Sequence, residues 1–144
     1  MILAFDPGLA TGMAYYFPNL DVFRSDEIPG GLLGTVDWFE ALVEFNTPSV
    51  VIVEKFTIMD STAKKTRQYD AIYANGYLEA RCHTLEVPFV RHTVSNVKTF
   101  ATNDKLKRLG WYKGGAGHAD DAARHLLFYL AKRPEGQPLL RKLL

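Results

Sequence analysis

The segment Ile2-Leu3-Ala4-Phe5-Asp6-Pro7-Gly8 joins a short apolar run to a carboxylate and a turn. Residues 2–5 have the length and composition of a buried β-strand, and Asp6-Pro7-Gly8 is a turn-forming sequence. A second apolar run, residues 50–53, ends in the same way at Glu54. Because carboxylates are seldom buried without a partner, two strands that both end in an acid indicate a shared site.

The segments around these two strands predict a mixed sheet. The predicted elements are strands at residues 12–17 and 22–25, a helix within 33–45, and the strand at 50–53. Short turns favour an antiparallel meander for the first three strands. Strand 50–53 follows a crossover helix, so we expect it to lie parallel to strand 2–5 and to bring Glu54 level with Asp6.

The second half predicts helices and one edge strand. We expect a helix whose packing face contains Tyr69, Ile72, Tyr73, Gly76, Tyr77 and Ala80, with Gly76 allowing close approach of another backbone. A strand at 86–92, a short basic helix at 95–101 and a last helix at 119–132 follow. The basic tail, 134–144, has no clear pattern. The fold class is therefore α/β, with a five-stranded mixed sheet flanked by helices in one domain, 1–144.

Composition narrows the class of protein. The 144 residues are 47% hydrophobic and 23% charged, which is typical of a globular domain. No apolar run approaches the roughly 18 residues of a membrane helix, so no membrane partner is expected. Cys82 is the single cysteine, which excludes an internal disulfide and favours a reducing compartment, and the cytoplasm is the expected location.

Charge is divided unevenly along the chain. Residues 1–60 contain two basic and nine acidic side chains, whereas residues 61–144 contain fifteen basic and seven acidic ones. The second half is therefore the candidate phosphate-binding half, although such lysine clusters are as often plain solvated surface. Interleaved aromatic residues favour nucleic acid, because bases stack on aromatic rings.

The last predicted helix presents a second group of candidate ligands. With His118 as origin, Asp121 lies about 60° and His125 about 20° around the helix, whereas Asp120 lies about 160° away. Asp120 is thus the poorer ligand, and we expect it to complement the positive helix N-terminus. Taken alone, Asp6 suits a turn, Glu54 an exposed loop and His118 a cap. Their joint occurrence favours a divalent metal site built from oxygen and nitrogen donors.

These motifs resemble those of the RuvC family of Holliday junction resolvases. Residues 2–8 with Thr11-Gly12 resemble its first motif, residues 51–54 its second, and residues 118–123 its third. Val97-Lys98 and the downstream Lys105 resemble its basic DNA-contacting segment. The resemblance covers residues 1–131, and the small size is similar to that of bacteriophage resolvases, which would act in the host cytoplasm.

The resemblance implies an RNase H-like fold and a homodimeric, metal-dependent endodeoxyribonuclease that resolves four-way junctions by paired phosphodiester hydrolysis. It implies two ions, Mg²⁺ or Mn²⁺, at a catalytic site of Asp6, Glu54, His118 and Asp121. The residues expected to contact branched DNA are Lys98, Lys105, Lys64, Lys65 and Phe56. Phe56 stands two residues after Glu54, whereas the family's junction-probing aromatic usually stands three after.

Other functions suit the same residues. A flap or fork endonuclease and a ribonuclease H would share the fold, and a DNA-binding module without catalysis would share the charge. A sugar kinase with a phosphate-binding hairpin at residues 6–12 is disfavoured, because the chain is too short for two lobes. The sequence does not indicate a branch-migration partner.

Overall fold

A computed structural model describes residues 1–56 and 69–144 of the chain. The strands are β1 Ile2–Asp6, β2 Thr11–Phe17, β3 Val22–Ile28, β4 Val50–Glu54 and β5 Phe89–His92. The α-helices are α1 Gly31–Phe45, α2 Tyr69–Thr84, α3 Val94–Phe100, α4 Asn103–Leu109, α5 His118–Leu130 and α6 Gln137–Leu143, with a 3₁₀ turn at Pro134–Gly136 before the last.

The five strands form one mixed sheet in the order β3-β2-β1-β4-β5. β1, β2 and β3 are an antiparallel meander, while β4 pairs parallel to both β1 and β5. Phe5 is opposite Val53 in the parallel pair. The predicted five-stranded mixed sheet is therefore confirmed. Asp6 directly follows Phe5 and Glu54 directly follows Val53, so both acids lie at the carboxyl ends of neighbouring strands.

The alternation of side chains along the strands decides which helix meets the two acids. Leu3, Phe5, Val51 and Val53 pack on one face with α1 and α2, whereas Ile2, Ala4, Val50 and Ile52 pack on the other with α5. Successive strand residues point to opposite faces. Asp6 and Glu54 continue the second series, so their side chains project on the face that α5 covers.

The packing face predicted for α2 is wrong for most of its residues, although Tyr77 is partly buried against the core. Its buried residues are Ala71, Ala74, Asn75, Leu78 and Cys82, while Tyr69 and Tyr73 are more than half exposed. A Cβ at Gly76 would have no neighbour within 4 Å, so this glycine makes no close backbone contact. The helix carries two apolar stripes of the same period, and the stripe with the smaller side chains is the one that packs against the sheet.

The tail has definite structure. Leu139 of α6 is buried in the α5 face of the core, and Gly136 lies against the backbone of Leu130. A sequence pattern of only three helical leucines in a short segment gave no sign of this packing. Among residues 1–56 and 69–144, no helix is long and apolar enough to cross a membrane.

Candidate active site

Gly12 allows the start of α5 to lie directly on the sheet. It pairs with Asp6 across β1 and β2, and a Cβ at position 12 would lie 1.9 Å from the carbonyl oxygen of His118. Gly117 precedes the helix in the left-handed region, with φ of 92°, where glycine is favoured. These two glycines deliver the first turn of α5 to the carboxyl end of β1.

Asp6 and His118 form the first contact of the site. His118 Nδ1 lies 3.2 Å from Asp6 Oδ2, although the two residues are 112 positions apart. Asp6 is almost fully buried, and its burial is the main cause that raises the pKa of this carboxyl to about 7. The negative charges of Glu54 and Asp121 raise the pKa further, while His118 lowers it. Asp6 therefore lies near two other acids, and the contact with His118 only partly offsets their effect on its pKa.

Glu54 contacts His125, a residue for which no role was predicted. His125 Nε2 lies 3.1 Å from Glu54 Oε2, and the imidazole is 1% exposed. The helical spacing placed His125 on the same edge of α5 as His118, and this angle was the available signal. What the spacing did not show is that the two histidines serve different acids.

Asp121 is paired with cations. Arg124 Nη1 lies 2.5 Å from its Oδ1, and Lys98 Nζ lies 3.5 Å from its Oδ2. Arg124 also donates to Asn103 of α4, so its guanidinium is fixed from two sides. Lys98 lies on α3, which brings the predicted basic segment to the rim of the acidic site.

Asp120 faces away from these acids, as its angle on the helix predicted. It lies in the first turn of α5, and its two carboxylate oxygens accept hydrogen bonds from the backbone amides of Lys113 and Gly114, at 2.8 and 2.9 Å. The side chain is buried. Asp120 therefore also closes the glycine-rich connection before α5, which helix geometry alone did not predict.

The carboxylate and imidazole groups of the site are of the kind that binds a divalent ion, but in this structure they are not arranged around a single point. Among residues 1–56 and 69–144, no three His, Cys, Asp or Glu side chains form a closed metal-binding cluster. Asp6 contacts His118, and the negative charges of Glu54 and Asp121 raise its pKa, so the four predicted ligands lie in one region of the structure. Carboxylate and imidazole donors in such a crowd fit a hard or borderline divalent cation, which would supply the missing positive charge.

The other residues expected to bind DNA differ in their surroundings. Lys105 Nζ donates to the carbonyl oxygen of Phe100 at 2.8 Å and lies 3.9 Å from the centre of its ring, so this ammonium joins α3 to α4. Phe56 is half-buried and lines a cavity of about 390 Å³ together with Asn75 and Arg91. Lys64 and Lys65 lie outside the described residues.

The chain is similar to known proteins in structure rather than in sequence. No family model matches the chain, and no curated protein sequence matches it. The Thermus thermophilus RuvC structure in complex with Holliday junction substrate matches with a TM-score of 0.57 and 15% identity, over 99% of this chain and 95% of RuvC. The fowlpox virus Holliday junction resolvase matches with a TM-score of 0.52 and 13% identity, over 92% and 99%.

The chain has a RuvC-like resolvase fold. Both matched structures align along nearly their whole length, so the likeness includes α5 as well as the sheet. The predicted RNase H-like class is therefore confirmed. At 13–15% identity the likeness extends to the fold and not to individual side chains.

Proposed function

We propose that this chain is a metal-dependent endonuclease that resolves four-way DNA junctions. The observation that carries the proposal is that Asp6 and Glu54 directly follow the paired residues Phe5 and Val53 of two parallel strands. They lie beneath the first turns of a helix that carries His118 and Asp121. The RuvC-like fold supports it, because one matched RuvC structure and one fowlpox resolvase structure are complexes with Holliday junction DNA.

Asp6, Glu54, His118 and Asp121 would hold two Mg²⁺ or Mn²⁺ ions. Bound ions would lower the pKa of an attacking water and stabilise the leaving oxygen of the phosphodiester. The chain itself supplies orientation: β1 and β4 fix two carboxylates side by side, and α5 fixes the remaining donors above them. Hydrolysis would leave 5′-phosphate and 3′-hydroxyl ends.

Lys98 is the residue best placed to receive the scissile strand. Its ammonium lies 3.5 Å from Asp121 and its side chain is half exposed, so it can contact a phosphate beside the acids. The basic second half of the chain extends this positive surface. Phosphate contacts of this kind position DNA without reading its sequence.

Cleavage of synthetic substrates tests the proposal. The panel contains a four-way junction, a flap, a fork, a linear duplex and an RNA–DNA hybrid, each with Mg²⁺ or Mn²⁺. We expect paired incisions in the junction, lost in Asp6→Asn and Glu54→Gln, both of which still bind it. Asp37→Asn, an exposed acid of α1, is the matched control. If the flap, fork or hybrid is cut in preference to the junction, that substrate replaces the junction in the proposal. If none of the substrates is cut, the proposed nuclease activity is rejected.

We also propose that the active form is a homodimer, since two opposed strands must be cut and one sheet offers one site. The exposed face of α2 supports this: Tyr69 and Tyr73 stack on each other in solvent, and Gly76 beside them leaves room for close approach. Sedimentation should give a dimer at micromolar concentration, weakened by Tyr73→Glu but not by Leu33→Glu, a position on α1 that is still more exposed. A wild-type monomer, with and without junction, would contradict it.

A further inference from the structure

His125 is a polar residue in an apolar place. It lies seven residues after His118 on α5 and is followed by Leu126 and Leu127, both fully buried in the core. Burying an imidazole is costly unless its polar atoms are satisfied. A third core leucine would fill this position at lower cost, so packing alone does not account for a histidine here.

The contacts of the ring define its hydrogen-bonding state. Nε2 faces Glu54 Oε2 at 3.1 Å, and Nδ1 is buried with no hydrogen-bond partner in the part of the chain that the structure describes. A carboxylate oxygen only accepts, so Nε2 must carry a hydrogen. The bare Nδ1 is then the lone-pair side of the ring, because a second buried N–H would leave a donor unsatisfied.

The surroundings hold the ring in this pose. His92, at the end of β5, stacks nearly parallel to His125 with ring centres 5.9 Å apart. His92 pairs with Glu54 in the parallel ladder between β4 and β5. The imidazole of His125 is therefore held by its position on α5 and by stacking on His92. Its Nε2–H points at Oε2 of Glu54.

We propose that His125 is a positioning residue that fixes the Glu54 carboxylate for metal binding, a role that rests on the proposed function. It is the hydrogen-bond partner of the Glu54 carboxylate within residues 1–56 and 69–144. Donation to Oε2 restricts the rotation of the carboxylate and leaves Oε1 available to a metal ion. Outer partners of this kind typically change metal affinity by about 10- to 100-fold.

Two substitutions separate this role from packing. Leucine at position 125 keeps the apolar volume and removes the donor, whereas the amide nitrogen of glutamine can reach the place of Nε2. Mn²⁺ binding to the DNA-free protein is measured by titration calorimetry, with thermal unfolding as the check of folding. We expect His125→Leu to weaken Mn²⁺ binding at least about tenfold and His125→Gln to restore it. Wild-type affinity in a folded His125→Leu protein would overturn the proposal. If the leucine protein does not fold, His125→Asn, whose amide is too short to reach Oε2, takes its place.

A second measurement keeps the proposal separate from the metal site itself. In ¹⁵N spectra of the histidine rings, His125 should be the Nε2–H tautomer, with a slowly exchanging ring proton that Glu54→Ala removes and Asp37→Asn does not. An Nδ1–H tautomer, or a ring proton unchanged in Glu54→Ala, would overturn the positioning role. If the wild-type protein binds no Mn²⁺, the proposed metal-dependent function fails, and the ring proton alone decides the His125–Glu54 bond.

Discussion

Asp6 is a carboxylate in surroundings that favour its neutral form. Its pKa is raised to about 7, first by burial and then by the charges of Glu54 and Asp121. The folded protein therefore keeps a proton that the unfolded chain releases near pH 4. It follows that ionised Asp6 destabilises the metal-free fold progressively as the pH rises from 4 to 7, and most above pH 7.

Asp6→Asn should therefore stabilise the metal-free protein at high pH. With EDTA present, we expect its melting temperature to exceed that of the wild type by several degrees at pH 8. The gain should become small near pH 4, where the folded wild type keeps the Asp6 proton and the unfolded chain has lost only part of it. Asp37→Asn should show no such change. A difference in melting temperature that is the same at both pH values would contradict this account.

Asp120 is expected to matter for stability rather than for chemistry. Asp120→Ala leaves the amides of Lys113 and Gly114 without their acceptor, so we expect a loss of about 2 kcal/mol in the free energy of unfolding. Asp120→Asn should lose about half of that, because the amide retains one oxygen. Urea denaturation measures both. Loss of cleavage in a stable Asp120→Asn protein would instead place this residue in the active site.

Single residues also show where the sequence was informative. The proximity of Asp6, Glu54 and His118 could be predicted because each is a polar residue at the boundary of an apolar element. The clamp on Asp121 by Arg124 could not, since the guanidinium reaches back along one helix and across to Asn103 on another. Such contacts depend on how helices pack.

At the scale of elements, the contact between β2 and α5 depends on one missing side chain. Gly12→Ala would place a methyl group against the carbonyl of His118, so α5 must move away from Asp6. We expect loss of cleavage by about 100-fold or more and a lower melting temperature. Leu33→Ala is the control, because this side chain of α1 is exposed and lies outside the proposed site. Wild-type activity in Gly12→Ala would show that this close approach is not needed.

The short helices α3 and α4 give two lysines different tasks. Lys98→Ala should weaken junction binding and lower the slope of log Kd against log salt by about one. Lys105→Ala should change the slope less, because its ammonium is bonded to the Phe100 carbonyl. Fluorescence anisotropy in EDTA between low and moderate salt measures both. Equal changes in slope would mean that Lys105 leaves Phe100 when DNA binds.

The elements also mark the limit of sequence patterns. Strands β1 and β4 were predictable because each is a continuous apolar run with a polar end. The buried face of α2 was not, because Tyr69, Tyr73 and Gly76 form a stripe with the same helical period as Ala71, Ala74 and Leu78. Period alone cannot distinguish a face that packs on the sheet from one that faces solvent.

At the scale of the whole molecule, the last helix closes the core beneath α5. Leu139 is 1% exposed and lies in the same cluster as Leu126 and Leu130. We expect Leu139→Ala to cost about 2–4 kcal/mol in urea denaturation, and Leu144→Ala, which is fully exposed, less than about 0.5 kcal/mol. A negligible cost at Leu139 would mean that α6 is not part of the cooperative core.

The overall topology was largely predictable, since the meander, crossover helix and parallel fourth strand follow from turn lengths and the handedness of crossovers. The placement of α6 was not, because α6 packs against α4, a helix that lies well before it in the chain.

The contact between Asp6 and His118 has a consequence for how the protein is made. A ribosome releases the chain from its amino end, and the first strand emerges long before the helix that completes the site. A nascent or prematurely terminated chain that stops before residue 118 therefore has only Asp6 and Glu54 of the four proposed metal ligands, and it lacks both histidines of α5. If the chain is the proposed nuclease, such fragments would lack half of the proposed ligands and would not cut the genome of the cell that is translating them. The order of the motifs along the gene would then make the proposed activity a late property of the growing polypeptide.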